Sequence, residues 1–200
     1  MARSAEGKQK DIFEVLTKEH RLVSAIIEKI ERACDEERFD EARQVFEVMK
    51  QKLSAHAAAE EEVVYPAWKG LSDELKDLMG EADEEHKLVK DKLEELTQLD
   101  ASDETWKAKL TVLKELVEHH VEEEEGEIFA AASDEMEEDE AIELAAAFLA
   151  AKPAEAEELT PVDLEVMTKE DLLDKARERG LEGTSRMTKE ELAEALNQGR

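Results

Sequence analysis

Four of the five histidines in this chain, His20, His56, His86 and His120, recur at intervals that set them at one level of successive helices. Two of them are followed four residues later by a glutamate, giving the pairs His56/Glu60 and His120/Glu124. A spacing of four stacks each imidazole and its carboxylate on one helical face, a turn apart. Imidazole with carboxylate suits iron, zinc or manganese. An isolated histidine on an apolar face is ordinarily a hydrogen-bonded core residue, and glutamates in runs such as EEE (60–62) or EEEE (122–125) ordinarily form a solvated face. Two carboxylates and four imidazoles in one small core are different, because desolvating them without a cation costs several kcal/mol. The pattern therefore predicts a metal site held by His20, His56, Glu60, His86, His120 and Glu124.

Long amphipathic helices must position these groups. The first is expected from about Lys8 to Cys34, with a stripe of Phe13, Leu16, His20, Val23, Ile27, Ile30 and Cys34 in steps of three and four. DEER at 35–38 breaks that stripe. The second carries Ala42, Phe46, Met49, Leu53, His56, Glu60, Val63 and Ala67, and should end near Trp68 with Gly70 as cap, or just before Pro66. Ser72 can cap the third, whose stripe is Leu75, Met79, Ala82, His86, Val89, Leu93 and Leu96, with a local break allowed at Gly80. The fourth carries Trp106, Leu110, Leu113, Val117, His120, Glu124, Ile128 and Ala131. Short connections make these an antiparallel up-down four-helix bundle. A fifth helix near Glu138–Lys152 offers Ile142, Leu144, Phe148 and Leu149 to the bundle's outside.

With turns at Glu36, Gly70 and Ser102, neighbouring histidines differ in height by no more than about 6 Å at about 1.5 Å per residue. The four imidazoles should meet at mid-height. His119 falls on the neighbouring face with Val112, Leu116 and Glu123 and takes no metal role, whereas Glu127 lies near enough to the stripe to be an alternate ligand.

Composition agrees with an all-α chain: of 200 residues 41% are charged and only 4% aromatic, with three prolines and seven glycines. A net charge of −28 argues against a protein that coats duplex nucleic acid and favours the accumulation of cations. The single cysteine, Cys34, excludes an intramolecular disulfide framework and a thiolate zinc cage. The polar start MARSAEGKQK and the lack of a membrane-length apolar run lead to the expectation of a soluble, cytoplasmic protein.

KEHRLV around His20, HAAAEEEVVYPAW from His56, EEHKLV around His86 and HVEEEEGEIF from His120 together resemble the hemerythrin-like HHE cation-binding domain over about residues 10–132. That resemblance implies two non-haem iron ions, oxo- or hydroxo-bridged when oxidised. It also implies terminal ligation by the four histidines and bridging by Glu60 and Glu124. Oxygen-carrying hemerythrins have two histidines a turn apart on the third helix, but Ala82 and Lys90 flank His86 here. This departure speaks against dedicated oxygen transport. It fits the branch associated with iron or oxygen sensing, nitric oxide and peroxide responses. Ala59 and Ala82 are small residues that could leave room for such a ligand.

Residues 153–162, with Pro153 and Pro161, read as a linker between a bundle at 8–152 and a small module at 163–200. In the module MTKEDLLDKA (167–176) recurs as MTKEELAEAL (187–196), and Thr168/Asp171 and Thr188/Glu191 are spaced as capping boxes. This tail resembles the N-terminal motif of transcription termination factor Rho and the related SAP-like helix–extended–helix fold. Such modules contact nucleic acid, yet seven basic residues face ten acidic ones across 161–200, which leaves a protein partner equally open.

Three uses of the metal site remain open. One is sensing through a bound oxygen, nitric oxide or peroxide ligand in a stress response. The others are consumption of peroxide or nitric oxide by a di-iron enzyme, and iron storage or buffering.

Overall fold

The computed structural model describes residues 10–198, whose regular elements are all helical. Helix α1 (Ile12–Asp35) starts where the Asp11 side chain accepts a hydrogen bond from the Glu14 amide at 2.9 Å. The expected start at Lys8 lies outside the described residues. A tight turn with Glu37 at φ 57° returns the chain into α2 (Phe39–Ala59). A five-residue π turn, Glu60–Val64, then joins α2 without interruption to α3 (Tyr65–Lys69). Ser72 caps α4 (Asp73–Thr97), and α5 (Trp106–Glu123) runs through a second π turn, Glu124–Ile128, into α6 (Phe129–Glu135).

Three local expectations are corrected. Pro66 does not stop the second helix, because the π turn ahead of it sends the Tyr65 amide back to the Glu60 carbonyl and the helix proceeds to Lys69. Gly80 does not break α4, which is continuous around it. The stripes beyond the two glutamates are displaced by one residue: Val64, Tyr65 and Trp68 are buried where Val63 and Ala67 were expected, and Ala132 replaces Ala131. Each π turn inserts one residue into the helical repeat, which rotates everything after it. On α4, which has no such turn, the buried set is the expected stripe without exception.

Helices α1, α2, α4 and α5 form the bundle, with α1 against α2 and α5, and α4 against α5 and α2. Its interior has two apolar compartments. One gathers Ile27, Ile30, Phe46, Met49, Leu93, Trp106 and Leu110; the other gathers Leu16, Val64, Tyr65, Trp68, Leu75, Met79, Ile128 and Phe148. In each of the four helices the boundary between them falls at the histidine or the His/Glu pair, so a polar slab separates two hydrocarbon cores.

Helix α7 (Glu138–Ala151), opened by a Glu137/Glu140 capping box, lies against α1, α2 and the first π turn. It buries Ala141, Leu144, Ala145 and Phe148, whereas Leu149, expected inside, is 40% exposed and Ile142 only half-buried. The segment after it is helical in part: α8 (Ala154–Glu157) precedes α9 (Pro161–Val166), which Thr160 caps. Helices α10 (Lys169–Glu178) and α11 (Lys189–Gln198) start at the two expected capping boxes. With Leu159 and Leu164 they enclose a third small core of Leu172, Ala176, Leu192 and Leu196, against which Leu22 of α1 packs. Carboxylates of this segment meet bundle lysines: Asp163 with Lys52 (3.0 Å), Glu165 with Lys29 (2.7 Å), Asp174 with Lys18 (2.5 Å) and Glu178 with Lys10 (2.8 Å).

At Gly80, exposed in the interior of α4, a Cβ would meet nothing within 4 Å. Gly80→Ala should therefore stabilise the protein by about 1 kcal/mol, read as a raised denaturant midpoint at unchanged slope.

Candidate metal centre

The polar slab gathers the six residues singled out by spacing, all of them buried: His20, His56, Glu60, His86, His120 and Glu124. Their Nε2 atoms converge on the two carboxylates. His56 and His86 approach the two oxygens of Glu60 at 3.0 and 3.4 Å, while His20 and His120 approach one oxygen of Glu124 at 3.2 and 3.8 Å. Each carboxylate thus lies between an imidazole from α1 or α2 and one from α4 or α5. Donor atoms fall into two groups, His20/His56/Glu60/Glu124 and Glu60/His86/His120, each within a span of 4.8 Å and sharing Glu60.

Both carboxylates stand at the first residue of a π turn. Inserting a residue there swings the carboxylate inward and turns the following hydrophobic residues onto the core, which is how π turns commonly serve a site.

The Nδ1 atoms face outward, and each finds a glutamate. His20 bonds to Glu125 at 2.8 Å, His56 to Glu19 at 2.9 Å, His86 to Glu61 at 3.0 Å and His120 to Glu85 at 2.8 Å. An ionised carboxylate only accepts, so each Nδ1–H donates and each Nε2 turns a lone pair inward. These four glutamates escaped the reading of the sequence, although their positions are regular. Glu19 and Glu85 directly precede His20 and His86, and Glu61 and Glu125 directly follow Glu60 and Glu124. Each runs to a histidine on another helix, so no single-helix pattern reveals the pairing.

Tyr65 also escaped. Its ring stacks on His86, with centroids 5.3 Å apart, and its hydroxyl donates toward His86 Nε2 at 3.2 Å. Burial, then the charges of Glu60 and Glu124, push the phenol well above its ordinary pKa, so it keeps its proton.

Polar atoms inside the slab fit a cation. His20 Nε2 and both carboxylate oxygens of Glu60 and of Glu124 are buried without a hydrogen-bonding partner, their imidazole neighbours lacking the required angles. His86 Nε2 and His120 Nε2 face each other at 3.1 Å, two lone pairs unless something positive lies between. In the metal-free chain protons play that part. Burial alone would lower His56, but Glu60 and Glu19 outweigh it and raise its pKa to about 10. Burial would likewise raise Glu60, but His56 above all brings it down to about 2. His120 is raised by Glu85 and Glu124 against its burial, whereas burial and the neighbouring His120 lower His86. The donor set and its geometry are those of a metal-binding site.

Other expectations fare differently. Glu127 is exposed and cannot serve as an alternate ligand. His119 is 62% exposed and outside the slab. Ala59 and Ala82 pack in the second apolar compartment and line no cavity at the site. Space lies on the opposite side, where a cavity of about 20 Å³ is bordered by the four histidines and by Val23, Leu53, Ala57, Val89, Val117 and Val121. Phe148 of α7 closes over His56, edge-on to its ring at 5.7 Å. Lys152 at the end of α7 pairs with Glu19 and Glu157, both at 2.5 Å.

Comparison with known proteins agrees with this geometry. Residues 11–132 match the family model of the hemerythrin HHE cation binding domain, and residues 163–199 match the Rho termination factor N-terminal domain. A hemerythrin-like protein of Schizosaccharomyces pombe is 28% identical over 142 residues, which is 70% of this chain and 68% of that one. A protein named DNA nickase from Nostoc is 26% identical over 157 residues; the match takes in 76% of this chain but only 42% of the Nostoc protein. No solved structure matches the chain. The first family span covers more than half of the sequence and encloses every residue of the slab, and the chain belongs to the hemerythrin HHE cation binding domain family.

Proposed function

We propose that the slab holds two iron ions and that the protein uses them to bind a small oxidant or gas, in sensing or stress response. His20, His56, His86 and His120 would be terminal ligands, with Glu60 and Glu124 shared between the metals. The observation that carries this reading is the placement of each buried carboxylate between imidazoles of the two helical pairs, with its oxygens unsatisfied. When bound, a pair of iron ions supplies redox electrons and open coordination positions for oxygen, nitric oxide or peroxide.

The chain's own residues set the conditions. Glu19, Glu61, Glu85 and Glu125 hold each imidazole ring in the tautomer that ligates. The cavity beside the rings admits a water-sized molecule, and its aliphatic walls disfavour a larger polar substrate. Tyr65 keeps an O–H directed into the site and can donate it to a bound anion. No redox turnover is needed for sensing, and rapid consumption of peroxide or nitric oxide by the purified protein would select the enzyme instead. Iron that exchanges without responding to either would select a store.

The tail supports a second contact, with nucleic acid or protein through residues 163–200. Its match to the Rho N-terminal domain favours nucleic acid. Several of its basic groups are engaged internally: Arg177 pairs with Asp174, Arg179 donates to the Leu196 carbonyl and Lys189 to that of Glu165. Among the described residues no helix is long and apolar enough to cross a membrane.

Metal analysis after iron-replete expression should find two irons per chain, with charge-transfer bands that zinc cannot give. His56→Ala or Glu60→Ala should lose metal and lower the melting temperature, and His119→Ala should leave the buried metal unchanged. Glu61→Gln, which weakens the hold on His86, should lower metal affinity about ten- to a hundredfold. A folded wild-type protein without bound metal would overturn the reading.

Metal must also displace the proton that His56 holds up to about pH 10. Loading at mildly alkaline pH in weak buffer should release acid, and affinity should climb with pH until that value is passed. For the tail, anisotropy titrations of the full chain with random duplex and single-stranded oligonucleotides should show only weak, salt-sensitive binding.

A further inference from the structure

One exposed cluster outside the slab repeats its chemistry. His119 and Glu123, four residues apart on α5, face Glu85 of α4; His119 Nε2 lies 3.4 Å from Glu123 and 3.5 Å from Glu85. One donor atom from each of the three falls within 4.8 Å of the others. Two carboxylates and one imidazole at that separation attract a dication, since their mutual repulsion is otherwise relieved only by solvent. His119 is 62% exposed, open to arriving ions. Glu85 belongs to both places: Oε1 turns to His119, while Oε2 holds His120 Nδ1 at 2.8 Å.

We propose that His119, Glu123 and Glu85 form a surface site for a divalent cation of the ferrous or manganous kind, which delivers metal to the buried centre. The delivery step rests on the buried centre proposed above; binding at the surface does not. A cation held by Glu85 is one carboxylate from the His120 imidazole, on a chain whose net charge of −28 already draws cations to it.

The test compares the full chain with the His119→Ala/Glu123→Gln double variant, which leaves every proposed buried ligand in place. Mn²⁺ titrations followed by electron paramagnetic resonance should show one more ion bound by the wild type, the variant's affinity at that site falling about tenfold or more. Identical titrations would overturn the surface site. After ferrous iron is mixed with each protein in air, ferric absorbance should grow several-fold more slowly in the variant and reach the same endpoint. Equal rates would overturn delivery. If neither protein fills the buried centre, delivery falls with that centre, while the Mn²⁺ titration still decides the surface site.

Discussion

Everything in this bundle answers to the cost of placing four imidazoles and two carboxylates between two hydrocarbon layers. Left alone, such a slab would be hydrated or would hold its protons tightly, and the raised His56 and lowered Glu60 values record that demand. A pair of cations satisfies both carboxylates and all four imidazoles together. The two apolar compartments then supply rigidity above and below, and the outer glutamates fix the rings from outside. Apolar burial and polar coordination are arranged in layers, so neither has to be compromised for the other.

The site is built twice. Glu19–His20 and Glu85–His86 correspond, as do His56–Glu60–Glu61 and His120–Glu124–Glu125, each of the latter with its π turn. Two of the outer glutamates act within their own helical pair, Glu19 on His56 and Glu85 on His120. The other two cross over, Glu61 to His86 and Glu125 to His20. These crossed bonds tie one pair of helices to the other through the ligand rings. The copies have diverged on their outer sides: Lys152 and α7 cover the Glu19 side, whereas His119 and Glu123 stand open beside Glu85.

How much was legible in the sequence follows from the range of the signal. Regular spacing on each helix was enough to name the six residues that the slab gathers, because a histidine's height depends only on residue count. On α4, where the repeat is unbroken, every buried position could be read. The π turns were not legible, since nothing in EEEVV or EEGEI announces an inserted residue, and the stripe was therefore misplaced for Val63, Ala67 and Ala131. Tyr65 was hidden by the same shift. The outer glutamates were lost among many acidic residues, because choosing among them requires knowing which helix lies opposite.

The π turns also fix how this family can vary. Residues from Val64 to Lys69, and from Ile128 onward, bury the side chains they do only because one residue too many precedes them. Trp68 and Ile128 are thus written in a different reading phase from Phe46 and Leu113 on the same rods. Losing one residue at either glutamate would leave the upstream half of that rod intact but turn the downstream half by about 100°. The carboxylate and the aromatic compartment beneath it are inherited together, as one insertion.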